Sequence, residues 1–84
     1  MYRKPLVLLK FTYKYRNRIA PHVTGSKTAL ELFYEWMLYR DIPCRLYKYR
    51  VDIPIDVWND NDDLIRYGLD TVNRVCRKVF NGGK

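Results

Sequence analysis

From Leu6 to Arg16 the residues fall into two phases, with Val7, Leu9, Phe11, Tyr13 and Tyr15 in one and Leu6, Leu8, Lys10, Thr12, Lys14 and Arg16 in the other, and hydrophobic alternates with polar from Leu9 onward. Period two among β-branched and aromatic residues predicts a strand. The stretch Asn17 to Gly25, punctuated by Pro21 and Gly25, interrupts the alternation and reads as the longest loop. The period then changes. Ala29, Leu30, Leu32, Phe33, Trp36 and Met37 recur at helical spacing up to Arg40, behind Ser26 as a cap or Thr28 with Glu31 as a capping box. Ile42 before Pro43 ends that helix, because a residue preceding proline is pushed out of helical conformations.

A second alternation places Tyr47, Tyr49, Val51, Ile53, Ile55 and Val57 in one phase and Cys44, Leu46, Lys48, Arg50, Asp52, Pro54 and Asp56 in the other. Pro54 lacks a backbone donor, so this strand ends, bends or lies at an edge there, and residues 51–57 are an alternative third strand. A last helix begins at an Asp60 or Asn61 cap. Asp62 and Asp63 complement its positive end, and Arg74, Arg77 and Lys78 its negative end. Leu64, Ile65, Leu69, Val72, Cys76 and Val79 form its apolar stripe, Gly68 points to close packing against a neighbouring backbone, and Gly82 is placed to terminate it.

Strand, helix, strand, helix predicts a small α/β domain, with α+β as the alternative, around a two- or three-stranded sheet. Parallel pairing is favoured. It sets Leu6 and Leu8 beside Cys44 and Leu46 and brings Lys14 and Arg16 near Asp52, whereas antiparallel pairing sets Lys14 and Arg16 beside Lys48 and Leu46. The expected core is Val7, Leu9, Phe11, Phe33, Trp36, Val51, Ile53, Leu69, Val72 and Cys76.

The 84 residues give room for one domain, 1–84, with 81–84 as a flexible tail. At 48% hydrophobic residues the chain is too apolar for a disordered one. Sixteen Lys and Arg against nine Asp and Glu leave +7, and that charge is segregated. Residues 1–18 carry Arg3, Lys4, Lys10, Lys14, Arg16 and Arg18 with no acid, while residues 52–63 carry five aspartates and no base. Such a field attracts polyanions. The apolar run Leu6 to Leu9 is too short for a signal-peptide core or a membrane span, and Cys44 and Cys76 form no CxxC pair, so a cytoplasmic chain with free thiols is expected.

Candidate chemistry is sparse. His22 beside Pro21 is a lone histidine with no oriented carboxylate to make it a general base. The run Asp60 to Asp63 fails as a calcium loop, because its sixth and twelfth positions are Ile65 and Thr71 instead of Gly and Glu. Glu31 and Glu35, one turn apart, are too few ligands for magnesium, and no phosphate-binding glycine loop occurs. No metal, small-molecule cofactor or catalytic residue is therefore assigned.

What remains is cations interleaved with tyrosine. Lys10, Lys14, Tyr15, Arg16 and Arg18, and again Lys48, Tyr49 and Arg50, combine phosphate neutralisation with faces on which unpaired bases stack. The expectation is a non-catalytic RNA-binding protein; the competing explanation is that the tyrosines merely extend the core. The first helix adds a second expectation. Between Ala29 and Tyr39 only Glu31 and Glu35 are charged, so Leu32, Leu38 and Tyr39 point to self-association or a protein partner. The alternative function is accordingly an inhibitor or antitoxin-like module, of the kind a virus directs at a host nuclease, docking alone or together with RNA. A small RNase toxin built on His22 is the third reading.

Overall fold

The computed structural model describes residues 7–81. They form strands β1 (Lys10–Tyr15) and β2 (Arg18–Thr24), helix α1 (Lys27–Tyr39), strands β3 (Arg45–Leu46) and β4 (Arg50–Asp52), and helices α2 (Ile55–Asp60) and α3 (Asp62–Asn81). The four strands make one sheet in the order β1-β2-β4-β3, antiparallel throughout. The fold is α+β, with the helices on one side of the sheet.

The expected loop over 17–25 is in fact a two-residue turn followed by β2. Ile19, Pro21 and Val23 alternate with Arg18, Ala20, His22 and Thr24, and Val23 is fully buried. A proline in a central strand is tolerated because the β1–β2 register slips there. Thr12 lies opposite His22 and Lys14 opposite Ile19, so Ala20 and Pro21 together face Tyr13. The freed Pro21 carbonyl accepts from the Ile53 amide at 3.1 Å.

Inserting β2 also overturns the parallel pairing. β2 separates β1 from β4, so the clash of Lys14 and Arg16 with Lys48 that counted against antiparallel strands never arises. The expected pairing of Leu6 lies outside the described residues, and Leu8 packs against the core instead of pairing with β3.

The expected strand over 44–57 breaks twice. β3 and β4 form a hairpin closed by the Tyr47 amide on the Arg50 carbonyl at 2.8 Å, and Pro54, at φ −55°, begins α2. Proline suits that place, since its missing donor is not needed in a first helical turn. Trp58 is then buried and stacks on Phe11, with centroids 3.8 Å apart and planes within 10°.

Between sheet and helices lie Val23, Val51, Leu30, Phe33, Met37, Ile65 and Cys76, all essentially without solvent contact. Val7, expected there, is 59% exposed, and Leu64 and Val79 are exposed on α3. Phe11, Trp36 and Leu69 are only partly buried. Asn73 of α3 clamps the chain just before β1: its Oδ1 accepts from the Leu9 amide at 2.7 Å and its Nδ2 donates to the Leu9 carbonyl at 3.1 Å. Ser26 caps α1 as expected, its Oγ accepting from the Ala29 amide. Gly82 and most of the tail expected over 81–84 lie outside the described residues.

Candidate nucleic-acid interface

Alternation gives β2 and β4 two unlike faces. Val23 and Val51, opposite each other, turn to the helices; His22 and Asp52, and Thr24 and Arg50, are the pairs on the other side. On that outer side lies a hollow of about 550 Å³ lined by Tyr15, Arg18, Ala20, His22, Thr24, Tyr49, Arg50 and Asp52. Every lining residue comes from a strand or a strand turn; among the described residues no helix contributes.

The register slip decides which tyrosine reaches this face. Phe11 goes to the core against Trp58, yet Tyr15, expected in the same phase, lines the hollow with its ring edge-on to His22 at 6.2 Å. Tyr49 arrives by another route, from the β3–β4 turn, and is 72% exposed. Both rings therefore lie outside the core, against the explanation that they only extend it.

Cations accompany the rings. The Arg16 guanidinium lies 5.4 Å from the Tyr15 centroid, the Lys48 ammonium 5.4 Å from Tyr49, and Arg50 4.6 Å from Tyr47. Arg50 Nε donates to Asp52 Oδ1 at 2.6 Å, and this hydrogen bond raises the already high Arg50 pKa. Arg18 lines the hollow and Lys10 sits opposite Thr24 on the same side. Lys14, exposed opposite Ile19, does not line the hollow; nor do Lys10, Arg16 and Lys48, the last of which borders a separate hollow with Leu30, Glu31 and Tyr47. The strands and their turns hold seven Lys or Arg and one acid, Asp52.

Sequence reasoning did not assign Ala20, His22, Thr24 and Asp52 to this face, His22 having been considered only as a base. The alternation of Arg18, Ala20, His22 and Thr24 against Ile19, Pro21 and Val23 was the available signal, hidden by reading Pro21 and Gly25 as loop markers. His22 and Asp52 are cross-strand neighbours but are not hydrogen-bonded to each other. His22 Nδ1 lies 2.7 Å from the Ala20 carbonyl, and Asp52 holds Arg50. Glu31 and Glu35 border different hollows, and among the described residues no three His, Cys, Asp or Glu are grouped to share a metal ion.

The expected protein-contact residues divide. Leu32 and Tyr39 line a groove between α1 and α3, whereas Leu38 is exposed outside it. Among the described residues no helix is long and apolar enough to cross a membrane. Comparison with known proteins finds no matching family model, no matching curated protein and no matching solved structure.

Proposed function

We propose that this protein binds single-stranded or looped RNA on the uncovered face of its sheet, in the cytoplasm, by stoichiometric binding without catalysis. The observation that carries the reading is the placement of Tyr15 and Tyr49 in one hollow together with Arg18 and Arg50, on the face the helices leave open. Aromatic rings on an open sheet offer stacking surfaces to unpaired bases, and surrounding cations neutralise the phosphates between them. A duplex would keep its bases stacked on each other and leave the rings without partners. Arg50 and Asp52 form an ion pair with no net charge, so Asp52 does not repel a phosphate and the cationic excess comes from Arg18 and the neighbouring Lys10, Arg16 and Lys48. His22 and Asp52 are not hydrogen-bonded to each other, so no carboxylate orients the imidazole as the base an RNase needs.

Fluorescence anisotropy with a labelled, unstructured RNA tests the reading. Tyr49→Ala is expected to weaken binding by about 1–3 kcal/mol through one lost stack while leaving the melting temperature nearly unchanged, since the ring is exposed. A parent protein that leaves the RNA unbound at low salt refutes the proposal, and cleavage of the RNA that disappears in His22→Ala replaces it with the toxin reading.

A further inference from the structure

The helix layer carries a second surface, independent of the sheet face. α1 and α3 meet where the Trp36 ring presses on Gly68, and beside that contact lies a groove of about 330 Å³. Its apolar lining includes Leu32, Trp36, Tyr39 and Val75, and Tyr39 is 88% exposed. Tyr67 and Val79 of α3 are exposed as well. Apolar surface gathered this way marks a contact with another protein.

Charge identifies the occupant. The groove has two charged lining residues, Glu35 and Arg40. The ion pairs among the described residues are Arg50–Asp52, Arg66–Asp62 and Arg74–Asp70, so neither groove charge is neutralised. The Arg40 guanidinium lies over the Trp36 ring, 3.9 Å from its centroid, holding its charge at the rim. One acid and one base beside a shared apolar strip make a self-complementary surface, because in a two-fold contact residue i meets residue j and j meets i. Five positions apart, Glu35 and Arg40 are separated by about 7.5 Å along the axis. They are also about 140° apart around the helix, one on each flank of the apolar strip, so a two-fold axis running roughly along α1, with the two helices side by side and roughly parallel, sets each against its opposite. The sheet layer is unsuited to self-contact, since the seven cations of its strands and turns against one acid repel a second copy. In the helices and their flanking turns the count is six bases to eight acids, close to balance.

We propose that a second copy of this chain docks on the α1–α3 groove in a two-fold dimer, with Glu35 of each copy against Arg40 of the other and Tyr39 packed into the contact. Both sheet faces then point outward.

Sedimentation velocity of the full chain over a range of micromolar concentrations tests this. The parent is expected to form a concentration-dependent dimer, twice the 10.2 kDa chain mass. Tyr39→Ala is expected to weaken it at least about tenfold. Glu35→Arg and Arg40→Glu are each expected to weaken it about tenfold, with the double reversal E35R/R40E restoring it to within about threefold. Tyr39 is almost wholly exposed, so an unchanged circular dichroism melt separates its effect from folding. A monomer at every concentration overturns the proposal and leaves the groove to a different polypeptide. A dimer indifferent to Tyr39→Ala, or a double reversal as weak as the singles, overturns it equally.

Discussion

At Gly68 a single methyl group decides the packing of two helices. A Cβ there would meet the Trp36 ring at 2.5 Å, and the ring is held between Gly68 and Arg40. Gly68→Ala is therefore expected to lower stability by about 1–3 kcal/mol, read from chemical denaturation. A glycine inside an apolar helical stripe announces such a contact in the sequence; that the neighbour is an aromatic ring and not a backbone depends on α1 and α3 meeting, which spacing does not give. Asn73 shows the limit more sharply, since nothing local distinguishes it, yet it satisfies both backbone groups of Leu9, 64 positions away. Cys44 supplies a pH test. Burial pushes its thiol from 9.0 up to about 11, so the unfolded chain's thiol ionises first. The corresponding stability is intact below pH 9 and is lost as pH rises toward 11. The melting temperature of the parent should fall more over that interval than that of Cys44→Ala; equal declines would show that the buried thiol contributes nothing.

Helices were legible at the element scale because their signals are local. α1 has its Ser26 cap, and α3 has Asp62 and Asp63 in its first turn. The end of α1 was placed correctly near Pro43, but the device is different. The Asp41 amide donates to the Leu38 carbonyl and the Ile42 amide to the Met37 carbonyl, with Asp41 at φ +58° and Ile42 buried. This is a Schellman closure, in which glycine is the favoured residue at the left-handed position. Asp41→Gly is expected to stabilise the protein by about 0.5–1 kcal/mol in thermal melts. Strands were less legible, since alternation says which residues share a face only while the register holds. The slip opposite Tyr13 hid β2 and sent Tyr15 to the open face, and the six-residue α2 continued a strand-like alternation that ends at Pro54. The cationic and aromatic residues of the site were thus named from the sequence, while the floor between them was not.

Across the whole molecule, charge is sorted by layer: the sheet is strongly cationic and the helices nearly balanced. Four cations, Arg18 in the hollow and Lys10, Arg16 and Lys48 on the neighbouring strands and turns, belong to no ion pair among the described residues. If each releases a counterion on contact with a single strand, the log-log dependence of affinity on salt has a slope of about −3. Arg18→Ala should make that slope shallower by a fraction of a unit, whereas Tyr49→Ala should leave it unchanged, because stacking releases no counterion. Where the nucleic acid sits is tested most directly by amide chemical-shift mapping of the full chain titrated with an unstructured RNA oligonucleotide. The account expects shifts concentrated at Arg18, His22, Thr24, Tyr49 and Arg50, with the α1–α3 groove around Leu32 and Val75 undisturbed. Shifts centred on that groove, or none anywhere at low salt, would contradict it.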